Sequence, residues 1–113
     1  MACLFCEISA GRIPSRIAYQ DEDVLAFHDI KPEAPVHVLL IPRKHIASLL
    51  DLTPADDAVL GALVRRARDL ARELGLGERG FRLVFNSGED AGYSVYHIHL
   101  HLLGGRSLTW PPG

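Results

Sequence analysis

Cysteine is scarce in this chain: two residues in 113, Cys3 and Cys6. Two cysteines three positions apart cannot build the disulfide framework of a small secreted domain. Long apolar runs are missing too. The longest, Val38-Leu39-Leu40-Ile41, falls far short of the roughly 20 residues a membrane helix needs. No basic region followed by an apolar stretch opens the N-terminus at Met1-Ala2-Cys3-Leu4, so no signal peptide is read there. Charge of one sign is also absent. Lys plus Arg is 12 against 14 for Asp plus Glu, a formal charge of −2, which argues against a nucleic-acid partner. The arginines at 65, 66, 68 and 72 read as a solvated helix face. There is no internal repeat, low-complexity tract or linker. The expectation is a cytoplasmic protein with no membrane and no nucleic-acid partner, its cysteines reduced or bound to metal.

What is present suffices for a core. Apolar residues make up 48% and charged residues 23%, the balance of an ordinary globular domain. The length suits one domain over 1–113. Leu4 to Gly11 reads as a short helix. Ile17–Gln20 and Val24–Asp29, around the polar Asp21-Glu22-Asp23, read as a hairpin. His37–Ile41, closed by Pro42, reads as a buried strand. Thr53 as N-cap, Pro54 at the first position and the acidic Asp56 and Asp57 announce a long helix. Leu60, Leu63, Val64, Ala67, Leu70, Ala71 and Leu74 supply its apolar face, and Gly75 its stop. Phe81–Phe85 and Ser94–Leu103 read as two further strands, separated by a loop with Gly88 and Gly92. The predicted class is α+β: a five-stranded antiparallel sheet, one long helix and a short N-terminal helix.

The six histidines carry the chemistry. His97, His99 and His101 alternate along the last predicted strand. Their imidazoles would share one face, with Ile98, Leu100 and Leu102 on the other. Three uses fit such a row: a transition-metal site, nucleophilic and acid–base chemistry near neutral pH, or incidental surface histidine. Just upstream, Asn86, Gly88, Gly92 and Ser94 have the makings of an anion cradle, glycine allowing close backbone approach and the side chains donating.

Tyr96-His97-Ile98-His99-Leu100-His101-Leu102-Leu103 resembles the His-x-His-x-His-x-x signature of the histidine triad family of nucleotide-binding hydrolases and transferases. Phe27-His28-Asp29-Ile30, Ala34-Pro35-Val36-His37, Ile41-Pro42-Arg43-Lys44-His45-Ile46 and Gly92-Tyr93-Ser94-Val95 resemble the same family in the same order. The closing Trp110-Pro111-Pro112-Gly113 resembles its purine nucleoside phosphoramidase branch. The resemblance implies that His99 is a nucleophile toward the phosphorus of a nucleoside 5′-phosphoramidate. His101 would contact the phosphoryl oxygens, with His97 and His37 in support. Asn86, Gly92 and Ser94 would cradle the phosphate, and Asp29 would accept from the ribose hydroxyls. Ile13, Phe27, His28, Ile30 and Leu39 would line the base pocket.

The resemblance further implies a homodimer, formed by sheet edges and paired long helices, with Trp110 reaching toward the partner's active site. Cys3, Cys6, His45 and His97 would hold a structural zinc, as in relatives carrying Cys-x-x-Cys; two free thiols are the plain alternative. Tyr93 stands where many relatives have glutamine. Three other functions remain open: a zinc-stabilised nucleotide-binding module with little catalysis, a dinucleoside polyphosphate hydrolase, and a metal binder using His97, His99 and His101.

Overall fold

The computed structural model describes residues 3–113. Met1 and Ala2, which open the segment read above for a signal peptide, lie outside the described residues. Two helices and five strands follow in chain order: α1 Leu4–Ser9, β1 Ile17–Gln20, β2 Val24–His28, β3 Val36–Pro42, α2 Asp57–Glu73, β4 Phe81–Phe85 and β5 Leu100–Gly104. The strands form one sheet in the order β1-β2-β3-β5-β4, every neighbouring pair antiparallel. The predicted α+β class with its long and short helices is what the chain adopts.

Side-chain alternation gives the sheet two buried faces. Val24 and Ala26 of β2, Val38 and Leu40 of β3, and Leu100 and Leu102 of β5 pack against Leu63, Ala67, Leu70 and Ala71 of α2. Leu25, Phe27, Leu39 and Ile41 face the other way and pack around Phe5 of α1. Residues on that second face of β3 and β5 include His37 and His101, so the same alternation that builds the core delivers two imidazoles to the side of the sheet that α1 packs on.

Five details differ from expectation. The last strand begins at Leu100, not Ser94; residues 94–99 are irregular, and the backbone N–H of Ile98 donates to Ile46 at 2.8 Å instead of joining the ladder. Pro42 does not end its strand but pairs with Val24. The long helix starts with a 3₁₀ turn over Pro54–Asp56, and the α-helix proper opens at Asp57. Asp56, expected merely to suit the helix dipole, is buried. It accepts from the Thr53 backbone N–H at 3.0 Å and pairs with Lys44 at 2.7 Å, bonds that hold its pKa below the usual range. Finally, Val64 and Leu74 are 47% and 38% exposed. The sheet covers only the stripe at 63, 67, 70 and 71, so residues turned off that stripe stay outside.

Candidate active site

His99 sits just ahead of β5, and its Nδ1–H donates to the backbone carbonyl of its own neighbour His97 at 2.8 Å. That bond assigns the proton to Nδ1 and leaves the Nε2 lone pair bare. His101 is oriented by a chain of donors. The Glu33 backbone N–H donates to His37 Nδ1 at 3.0 Å. The proton of His37 therefore rests on Nε2, which donates to His101 Nδ1 at 2.8 Å. His101 in turn must carry its proton on Nε2. Among the described residues, that Nε2 is the one buried side-chain polar atom without a hydrogen-bond partner. A buried donor left unpaired is costly unless something else takes it up.

Burial pushes all of these imidazoles toward the neutral form. The pKa values of His37, His97 and His99 are lowered chiefly by desolvation, and that of His101 falls to about 4, with His99 and His37 adding repulsion. His28 is lowered by burial and by Arg16. A neutral His99 is the form that can act as a nucleophile.

His99 and His101 form part of the wall of a cavity of about 360 Å³. Leu4, Phe5, Ile8, Ile13, Phe27, Leu39 and Val95 make much of that wall apolar; His28, Asp29, Ile30, Asn86, Gly92 and Ser94 complete the predicted set around it. Ile30 is at the open rim, 91% exposed. Asp29 holds Lys31 N–H on Oδ1 at 2.8 Å, and its Oδ2 lies 3.6 Å from His37 Nε2.

Gly92 lies on the cavity wall, where the resemblance places it, and also shapes the backbone there. Its N–H and that of Tyr93 are already committed to the carbonyls of Glu89 and Gly88, at 2.9 and 3.2 Å. What Gly92 contributes is its backbone conformation, at φ +79°, which returns the chain from the Glu89–Ala91 turn. The side chains of Asn86 and Ser94 are the polar groups this loop adds to the wall. Trp110 lies elsewhere: it is 79% exposed, with the Arg82 guanidinium 5.7 Å from its ring centre. A second cavity, of about 590 Å³, lies against His37, Arg82, Asn86, His101 and Arg106, so Asn86 and His101 belong to both walls.

His97 departs from the shared row. Its ring is fully buried and its Nε2–H donates to the Pro42 carbonyl at 2.7 Å. Its Nδ1 lies 3.4 Å from Cys3 Sγ, 3.5 Å from Cys6 Sγ and 3.2 Å from His45 Nδ1; Cys6 Sγ lies 3.3 Å from His45 Nδ1. All four ligand atoms fall within 4.8 Å of one another. Around a tetrahedral zinc, with bonds of about 2.3 Å to sulfur and about 2.0 Å to nitrogen, S–N edges are about 3.5 Å and N–N edges about 3.3 Å. The four residues fit such an ion. The Pro42 bond keeps the His97 proton off the ligating nitrogen, the usual outer support of a metal-bound imidazole.

Phe5 escaped the sequence reading, which notes Tyr93 only as standing where many relatives have glutamine. Phe5, between the cysteines, meets the His99 ring edge-on at 4.9 Å, the His97 ring at 6.0 Å and Phe27 at 5.5 Å. Tyr93 stacks on His99. A lone aromatic between two cysteines carries no spacing signal, so sequence alone had no means of placing Phe5; the departure from glutamine marks Tyr93 without giving its contact with His99.

Comparison with known proteins agrees with this architecture. The HIT domain matches residues 10–108, and the chain belongs to that family. It shares the fold of HIT family hydrolases: the crystal structure of one from Legionella pneumophila superposes with a TM-score of 0.98 at 53% identity, covering 99% of this chain and 100% of that one. An uncharacterised HIT-like protein of Synechocystis is 50% identical over 110 residues, 97% of this chain and 96% of its own length. A 14 kDa zinc-binding protein of Brassica juncea is 46% identical over 112 residues, 97% of this chain and 98% of its own length.

Proposed function

We infer that the chain hydrolyses purine nucleoside 5′-phosphoramidates. The observation that supports this most directly is that two imidazoles in complementary tautomers line one cavity, His99 with a bare Nε2 and His101 with an unpaired Nε2–H. A nucleophile and a donor are what a phosphoryl group needs on its two sides. The base enters between Phe27, Ile13, Ile30, His28 and Leu39, and the ribose hydroxyls meet the Asp29 carboxylate. Nε2 of His99 attacks phosphorus, the P–N bond breaks, and the departing nitrogen takes up a proton. His99 then carries a nucleotidyl group. Water attacks that phosphorus, the P–N bond to histidine breaks, and nucleoside monophosphate leaves. His101 donates to the phosphoryl oxygens throughout, with His37 fixing its tautomer; Asn86 and Ser94 add donors.

Zinc belongs to this reading as a structural ion held by Cys3, Cys6, His45 and His97. It supplies a rigid four-way tie, not a reacting atom. A homodimer belongs to it as well. Val64 on α2, Leu74 at its C-terminal cap and the remote Trp110 are apolar surface that a second copy would cover. Sedimentation of the purified protein checks this, a dimer being the expected species. The cytoplasm, where thiols stay reduced, is the compartment that suits the cysteines.

The test is mass spectrometry of protein quenched in mildly basic buffer during turnover of adenosine 5′-phosphoramidate. A nucleotidyl adduct on His99, with AMP released, is expected. His99→Asn should abolish turnover and keep AMP binding; a variant that still turned over would sink the mechanism. Binding of AMP with no turnover would favour a nucleotide-binding module. Preference for a dinucleoside polyphosphate would move the substrate to that class.

A further inference from the structure

The hydrogen bond from Nδ1 to the His97 carbonyl sets which nitrogen of His99 is bare, but it does not hold the plane of the ring. A single N–H···O bond tolerates a broad range of angles, so the imidazole could rock about its Cβ–Cγ bond and swing Nε2 away from an incoming phosphorus. The face of the ring needs a stop. Tyr93 is placed to be that stop. It is 5% exposed and is not among the residues lining the nucleotide cavity. Its ring lies against the His99 imidazole with centroids 5.6 Å apart and planes 15° apart, an offset stack. Its hydroxyl donates to the Ala47 carbonyl at 2.5 Å, fastening the far end of the ring to the segment between β3 and α2. Burial drives the pKa of that hydroxyl to about 12, so it remains a neutral donor at any working pH. Phe5 closes the arrangement edge-on at 4.9 Å.

We propose that Tyr93 is a positioning residue for His99: an anchored flat plate that holds the imidazole plane while Nε2 attacks phosphorus. The proposal rests on the reading of His99 as the nucleophile. Displacement of a reacting atom by about 1 Å costs on the order of 100-fold in rate, so a plate that limits the swing has a measurable effect. Because Tyr93 touches His99 and not the nucleotide cavity, its loss should act on the chemical step and leave ground-state binding alone.

Two variants separate the parts of the side chain. Tyr93→Met keeps an apolar group of similar bulk but has no flat face. Tyr93→Phe keeps the face and loses only the Ala47 anchor. In single-turnover reactions with adenosine 5′-phosphoramidate, Tyr93→Met should slow nucleotidylation of His99 about 100-fold while AMP affinity stays within about twofold; Tyr93→Phe should recover the rate to within about threefold of wild type. Nuclear magnetic resonance gives a readout free of activity. The His99 ring protons should be shifted upfield by the Tyr93 ring current in wild type and Tyr93→Phe, and should lose that shift in Tyr93→Met.

Three results would each overturn the proposal: a wild-type rate in Tyr93→Met, parallel losses of AMP affinity and rate, or a wild-type His99 resonance without the ring-current shift. If wild-type protein forms no adduct, the functional reading fails, and the resonance still decides whether Tyr93 holds the ring. If Tyr93→Met does not fold, Tyr93→Leu, which also lacks a flat face, takes its place in both measurements with the same outcomes expected.

Discussion

His101 shows how much of the chemistry is set by one carbonyl or one N–H. Its tautomer follows from Glu33, in the loop between β2 and β3, through His37 on β3. The cost appears as acid sensitivity. The unfolded chain takes up protons on histidine near pH 6.5. Burial lowers the pKa of the folded chain's His37, His97 and His99, and takes that of His101 down to about 4. Stability rises with pH wherever the unfolded state holds more protons. The contribution of these groups is therefore complete above about pH 6.5 and is lost as the pH falls toward about 4. Urea midpoints measured across this window should drop, and His101→Asn, which removes the most strongly shifted group, should flatten the slope. A second prediction concerns the loop side chains. Ser94→Ala or Asn86→Ala should lower kcat on the phosphoramidate by on the order of 100-fold, the usual cost of one donor to a developing anion. Steady-state kinetics checks it.

At the level of elements, the long helix and the strands near the middle of the chain were legible because their periodicity is undiluted. Leu63, Ala67, Leu70 and Ala71 repeat at helical spacing, and Val38-Leu39-Leu40-Ile41 is buried on both faces. Residues 94–99 misled because alternation is also what an irregular segment shows when its side chains are drawn alternately to two sites. His97 goes to the thiols, Ile98 inward, His99 to the cavity. Asp29, Asn86 and Ser94 could be placed by resemblance but not by any period of their own. Leu40 is fully buried between sheet and helix, and Leu40→Ala should destabilise by about 2–5 kcal/mol in denaturant titration. The end of β5 offers a sharper case. Gly105 has φ +91°, and an added Cβ would stand 2.9 Å from Pro35. Gly105→Ala should cost about 1–3 kcal/mol, from backbone strain and crowding together.

Across the whole molecule, the two sites are joined at His97. Its ring faces Cys3, Cys6 and His45, while its carbonyl orients His99. With zinc bound, chelation should therefore lower the unfolding midpoint, by about 4–8 °C for each kcal/mol withdrawn. Amide exchange should rise most in α1, six residues long and held to the sheet by Phe5. Calorimetry and exchange mass spectrometry check the two parts.

The contact between Cys3 and His97 spans 94 positions. During synthesis the first helix emerges early and has nowhere to dock. Phe5 can meet Phe27 once the hairpin exists, but its neighbours His97 and His99 are added only long afterwards. Such distant contacts are slow to form because the loop between them must close first. The helix that carries Phe5 is thus the last element to find its place, and a nascent chain stopped short of residue 97 has β1, β2, β3 and α2 but lacks β5, so β4 has no neighbour in the sheet and the cavity lacks the wall made by His99 and His101.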